Sequence, residues 1–414
     1  MCTRPFPTDF LWGVATAGHQ NEGDNATSDT WFLENVEPTI FAEPSGRACN
    51  SWELWEADLD LAAALGLNAY RFSVEWARVE PEPGVIDATA LDHYEALVDG
   101  CLARGLAPLV TFSHFTAPHW FAMRGGWLDP QAPELFAAHC GRVMDRFGDR
   151  IAAAVTLNEP NLAPLLAAVG LPPAVLELER ATLAAAGERA GVERYRSGNV
   201  MVPEDFDGMQ DGMTRAHVAA RATIKALRPE LPVGLSVAIC DEVALPGGEG
   251  SRDRKRASCY DHWLELARDD DFIGVQNYEQ IVHGPDGVVP TPPGTPVNGM
   301  GTAIAPASLG GAVRYAHQVS GRPVLVTEHG IGIDDDARRA AFIEPSLAGL
   351  LDALDDGLPV LGYCHWTLMD NFEWIAGFSA HFGLHSVDRT TFVRTAKPSA
   401  AAFGAIVRAN AVRS

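Results

Sequence analysis

Residues 58–81 read DLDLAAALGLNAYRFSVEWARVEP. Leu59, Ala62 and Leu65 continue a stripe begun at Leu54 and Trp55, the three- and four-residue spacing of a helix that buries one face. Gly66 stands where such a helix closes in a left-handed cap. Within three residues the pattern changes, and 69–75 is a short β-favouring run with the polar side chains Arg71 and Glu75 toward its end. A helix, a glycine and a strand with a polar terminus make one turn of a βα repeat.

The same alternation continues on both sides. Short apolar runs at 10–16, 69–75, 107–113, 152–157, 233–239, 272–277, 323–327 and 360–366 give eight candidate strands. Leu91, Tyr94, Leu97, Cys101 and Leu102 form a second helical stripe, closed by Gly105. No Pro/Ser-rich linker interrupts the series. The pattern predicts an α/β protein, a single (β/α)8 TIM barrel over residues 1–414. In that fold, chemistry gathers at the C-terminal ends of strands. The runs here end in Arg71 and Glu75, Ser113-His114, Asn158-Glu159, Gln276-Asn277-Tyr278, Glu328-His329 and Trp366. A purely structural barrel has no reason to finish so many strands with polar groups. Residues 160–210, with an Ala-rich helix near 174–190, and the Pro/Gly-rich 279–306 are long irregular segments expected to wall the mouth.

Composition narrows the partners. With 31 basic and 54 acidic residues, the formal charge of −23 repels phosphate backbones and anionic membranes, so nucleic acid and membrane are excluded as partners. The basic run 252–256 reads as a solvated loop. Seven cysteines are scattered without a CxxC, the pattern of reduced thiols rather than a disulfide frame. The N-terminal residues contain no apolar signal core, and no run of about 18 apolar residues occurs. A soluble cytoplasmic protein is expected; its oligomeric state is not legible.

Hydrolysis of an acetal needs a proton for the leaving group and a carboxylate to meet the developing oxocarbenium ion. Carboxyls about 5–5.5 Å apart act through a covalent intermediate, whereas a wider gap admits water and inverts. In an eight-stranded barrel the ends of strands 4 and 7 face one another across the mouth, so Glu159 and Glu328 can flank one bond. Read from the residues alone, this is a barrel hydrolase with a carboxylate pair.

At these positions the sequence resembles glycoside hydrolase family 1, the β-glucosidase family, over essentially its whole length. The carrying stretches are FPTDFLWGVATAGHQNEG (6–23), residues 58–81, TLNEP (156–160), VTEHG (326–330) and WTLMDNFEWIAGFSAHFGLHSVD (366–388), in family order and mostly at strand ends. The resemblance implies a retaining β-D-glucosidase acting on small β-glycosides or oligosaccharides, tolerant of fucosyl and galactosyl groups, with no cofactor and no metal. It makes Glu159 the acid/base and Glu328 the nucleophile. Arg71 and Tyr278 would hold Glu328 ionised, Asn158 would serve the sugar 2-hydroxyl, and burial would raise the pKa of Glu159. Gln20, His114, Glu373 and Trp374 would grip the other hydroxyls, with Trp366 as the floor and Phe382 beside it.

Several residues depart from the family pattern. Gln276-Asn277-Tyr278 stands where Asn-Tyr-Tyr is usual, so that an ungapped match makes Tyr278 the functional tyrosine and a one-residue slip makes it Glu279. Phe115 replaces Trp, and His329 replaces Asn. The bland alternatives are a Pro160 strand stop, a core His114, an Arg71 paired with Glu75 or another barrel carboxylate, and core roles for Trp366, Trp374 and Phe382. His381 and His385 are spaced four apart in a segment that reads as strand or loop, which speaks against a metal site. Asp334–Asp336 reads as loop or helix start. Of the rival functions, a 6-phospho-β-glycosidase needs a Ser, a Lys and a Tyr where Glu373, Ala380 and Phe382 stand, and an anionic Glu373 would repel phosphate. A non-catalytic sugar binder is opposed by the presence of both glutamates. Transglycosylation shares the same intermediate and is not separated by sequence.

Overall fold

A computed structural model describes residues 3–170 and 172–413. Eight parallel strands close a barrel in chain order. They are β1 (Leu11–Ala15), β2 (Ala69–Ser73), β3 (Ala107–Ser113), β4 (Ala153–Asn158), β5 (Val233–Ala238), β6 (Ile273–Asn277), β7 (Val324–His329) and β8 (Val360–Trp366). The ladder closes where β8 pairs with β1, setting Trp366 beside Ala15. All eight runs read from the sequence are barrel strands. Cys2 and Leu171 lie outside the described residues.

Burial on both faces explains the apolar runs. Alternate residues such as Val14, Tyr70, Phe72, Val110, Phe112 and Val326 join the large core beneath the surrounding helices. The residues between them, Ala15, Ala69, Leu109, Val155, Leu325 and Cys364, form a separate cluster, as a barrel lumen requires. Helices Ser51–Ala64 and Ala88–Ala103 carry the two stripes, and Gly66 and Gly105 follow them at φ 88° and 70°. The Ala-rich segment is the helix Pro173–Ala190. Asp335 caps helix Asp336–Asp355 by accepting from the amides of Ala337 and Arg338.

Two expectations need correction. The basic run 252–256 is not a loop but part of helix Glu249–Cys259. Its Lys255 is buried, with Nζ 3.3 Å from the buried carboxylate of Glu242. Residues 279–306 are irregular only in part, because Gln280–Gly284 pairs antiparallel with Gly287–Val288 and parallel with Asp241–Ala244. No helix among the described residues is long and apolar enough to cross a membrane.

The helix Phe206–Leu227 crosses the turn Gly126–Leu128 at Gly212, where a Cβ would sit 1.8 Å from the carbonyl oxygen of Trp127. Gly→Ala inside a helix ordinarily gains about 0.5–1 kcal/mol. Here the obstacle is backbone, and the overpacking penalty of about 1–3 kcal/mol wins. Gly212→Ala should therefore lower the denaturant midpoint; an unchanged or raised midpoint contradicts this packing.

Candidate active site

The strand ends converge on one cleft of about 930 Å³, counting the space open to solvent at its mouth. Gln20, His114, Glu159, Tyr278, Glu328, Trp366, Glu373, Trp374 and Phe382 all line it. Arg71 and Asn158 lie just beneath, buried in the lumen. All the residues picked from the sequence are thus brought together.

Arg71 organises the floor. Its Nε donates to Thr111 Oγ1 at 3.1 Å, its Nη1 to Glu328 Oε1 at 2.5 Å and to Thr327 O at 3.3 Å, and its Nη2 to Asn158 Oδ1. The alternative pairing with Glu75 does not occur. That carboxylate turns away and accepts from Ser73, Asn25 and Thr116. Tyr278 OH donates to Glu328 Oε2 at 2.6 Å, so the ungapped alignment at 276–278 is the one the geometry supports. Burial pushes the tyrosine pKa well above its ordinary value, which keeps the phenol a donor.

The two glutamates sit in different surroundings. Burial raises the pKa of Glu328, but Arg71 and the Tyr278 hydrogen bond both work against it. Glu159 has no such support. Burial first, then the negative charge of Glu328, pushes it well above the ordinary carboxyl range, with Arg71 offsetting only part. The arrangement favours a carboxylate at 328 and a carboxylic acid at 159. Glu159 leaves β4 at φ 44°, its amide bonded to Ser236 O at 2.8 Å. Phe115 and Trp374, which line the same cleft, also have left-handed φ, at 68° and 52°. Such backbone costs of order 1–3 kcal/mol per residue and gathers at functional sites.

Arg71 also fixes the amides above it. A guanidinium only donates, so the Asn158 atom facing it is Oδ1, and the Gln276 atom 2.7 Å from that oxygen is Nε2. Asn158 Nδ2 then faces His114 Nε2 at 3.3 Å, which makes that nitrogen the acceptor and His114 Nδ1 the protonated one. Burial, then Arg71, pushes the His114 pKa well below its ordinary value and keeps the ring neutral. The ring stacks on Trp366 and Trp374, with centroids 5.9 and 6.1 Å away. Among the described residues that line the cleft, three buried side-chain atoms find no protein partner: Gln20 Oε1, His114 Nδ1 and Gln276 Oε1. A ligand with several hydroxyls would satisfy them.

Glu373 accepts from Trp366 Nε1 at 3.2 Å and from Gln20 Nε2 at 3.4 Å. Burial pushes its pKa up to about 8. This corrects the expectation of an anionic Glu373, because near neutrality the group is largely protonated. His381 pairs with Asp334 at 2.7 Å and His385 Nδ1 faces Leu368 O at 2.8 Å, so the two histidines do not form a common ligand set. His329 Nδ1 donates to Asn277 O at 2.6 Å and stacks on Phe342 behind the nucleophile strand. The sequence reading missed the cleft residues Leu162, Leu165, Leu166, Val169, Ile239 and Met300. Apolar residues on loops and short helices carry no signal that separates a ligand wall from a core.

Comparison with known proteins places this geometry. The profile of glycosyl hydrolase family 1 matches residues 2–187 and 273–412. The solved β-glycosidase BGL167 is 46% identical, covers 99% of both chains and superposes with a TM-score of 0.91. A β-glucosidase of Agrobacterium sp. is 30% identical over 97% of this chain and 95% of its own. A bifunctional β-D-glucosidase/β-D-fucosidase of Bifidobacterium breve is 30% identical over 96% and 97%.

A buried carboxyl whose folded pKa is raised keeps its proton while the unfolded chain, near the ordinary value of 4.5, loses it. Between 4.5 and about 8 the unfolded state therefore binds fewer protons, and Glu373 lowers stability as pH rises through that window. Glu373→Gln should match the wild-type melting temperature at pH 4.5 and exceed it at pH 8. A difference that does not grow with pH overturns the assignment.

Proposed function

Because the chain belongs to glycosyl hydrolase family 1 and is a glycoside hydrolase, we propose that it is a retaining β-D-glucosidase, one catalytic barrel unit in which Glu328 is the nucleophile and Glu159 the acid/base. The observation that carries this reading is the asymmetry of the pair. Both oxygens of Glu328 are held by donors, while Glu159 shares the cleft and is driven toward its acid form.

In the first step Glu328 attacks the anomeric carbon, the glycosidic C–O bond breaks, and Glu159 gives its proton to the departing oxygen. Ester formation removes the charge of Glu328, the second-largest cause of the raised Glu159 pKa. With its pKa lowered, Glu159 stays ionised after giving up its proton, takes a proton from water as general base, and the hydroxide so generated displaces Glu328 with net retention. Asn158 Nδ2 would serve the 2-hydroxyl, while Gln20, His114, Glu373 and Trp374 would take the others above the Trp366 ring. Tolerance of β-D-fucosides and β-D-galactosides is part of the proposal, in line with the bifunctional relative.

A 6-phospho substrate is disfavoured, though not by charge at Glu373. Among the described residues no lysine or arginine lines the cleft, and Ala380 and Phe382 offer no cation or phenol in place of one.

An aryl β-D-glucoside should be turned over by the wild type and not measurably by Glu328→Gln. Glu159→Ala should still form the glycosyl-enzyme from an activated aryl donor and depend on azide, releasing the β-glycosyl azide. An α-azide product, or no azide effect, removes the roles assigned to the pair.

A further inference from the structure

The cleft has two unlike halves. The hydroxyl-gripping groups Gln20, His114, Trp366, Glu373 and Trp374 come from the ends and loops of β1, β3 and β8. The opposite arc, following β4, β5 and β6, presents Leu162, Leu166, Val169, Ile239 and Met300, with Cys240 and the carboxylate of Glu279 among them. Val169 is 53% and Met300 72% exposed, apolar side chains left in water on the rim. The leaving oxygen must lie within hydrogen-bond reach of Glu159, at the end of β4, so the leaving group emerges along the apolar arc. A second sugar there would meet one carboxylate, Glu279, whose Oε1 already accepts from Asn298 and Thr302, and would bury its other hydroxyls against apolar side chains, which is unfavourable. An aryl or alkyl group would instead cover the exposed apolar surface.

Resting on the function proposed above, we infer that the preferred aglycone is apolar, aryl or alkyl, rather than a sugar. The test is kcat/KM for n-alkyl β-D-glucosides from ethyl to hexyl, whose leaving groups are of nearly equal basicity, with cellobiose alongside. The expected result is a rise of roughly two- to fourfold per methylene, with hexyl at least about tenfold above cellobiose. In Met300→Ser the slope should flatten. A chain-length series without slope, or cellobiose as good as hexyl, overturns the inference. Absence of any glucoside turnover would instead condemn the proposed function, so the two failures are distinct.

A second inference rests on a different atom. Gln276 is 1% exposed, its Nε2 is committed to Asn158 Oδ1, and its Oε1 is left without a partner on the cleft wall. The β7–β6 register sets Glu328 directly beside it. A buried acceptor that the protein does not satisfy is unfavourable until a ligand donor reaches it. We propose that Gln276 is a specificity-determining residue whose Oε1 accepts from the sugar hydroxyl to which Asn158 Nδ2 donates, the 2-hydroxyl on the reading above. One side chain thus holds Asn158 in place and reads its target.

The experiment compares an aryl β-D-glucoside with its 2-deoxy counterpart in wild type and Gln276→Met. The glucoside/2-deoxy ratio of kcat/KM should fall by about tenfold or more, because only the substrate with the hydroxyl loses a partner. Equal losses on both substrates mean a merely structural role and overturn the proposal. Should Gln276→Met fail to fold, Gln276→Asn, which withdraws the amide by one methylene, is read the same way. Failure of both substrates already in the wild type would count against the proposed function instead.

Discussion

A single buried cation sets the terms for this site. Arg71 carries its charge inside the barrel, where an ion without water costs several kcal/mol unless every donor is matched. The matching comes from other strands: Thr111 on β3, Asn158 on β4, and the Thr327 carbonyl and Glu328 carboxylate on β7. Four strands are thus tied across the lumen by one guanidinium. Because it can only donate, its orientation decides which end of the Asn158 amide faces down. That in turn decides the Gln276 amide and the His114 tautomer. The polar pattern of the cleft floor follows from one side chain that is itself fully buried beneath it.

Of the four carboxyls that line the cleft, Glu159, Glu328 and Glu373 are distinguished by the donors around them. Glu328 has a guanidinium and a phenol at its oxygens, Glu373 has an indole and an amide, and Glu159 has none of these. Burial raises all three, and the donors decide how far each is pulled back. Left-handed backbone at Phe115, Glu159 and Trp374 and the orphaned atoms of Gln20, His114 and Gln276 are further local costs. The closed barrel and its helical shell offset them, and a functional site is where such conflicts between local and global preference are expected.

Much of this was legible in the sequence because the fold and the site share one rule. Parallel strands buried on both faces must be apolar, so a polar residue at a strand end stands out, and Glu159, Glu328 and Tyr278 were found that way. What was illegible depended on tertiary partners. The run 252–256 reads as solvated because its charges hide a helix whose Lys255 faces the buried Glu242. The hairpin at 280–288 is short and hidden among prolines and glycines. The charge of Glu373 could not be read either, since the burial that protonates it is not a property of the residues around it in sequence. Gln276 reads in the sequence as a mere departure from a pattern, and only the fold brings its amide to Asn158.

The division of the cleft follows from how each half is built. The residues that contact Arg71, directly or through Asn158, lie in strands or immediately beside them, where ladder register fixes each Cα relative to its neighbours. Moving Gln276 by one position would turn its side chain to the opposite face of the sheet. Leu162, Leu166, Val169 and Met300 belong instead to a short helix, its rim and a loop, outside the barrel ladder. Their identities can change without disturbing the guanidinium or the amides it orients. A barrel organised this way separates the part of a substrate that must be held in one orientation for chemistry from the part that only needs to be covered.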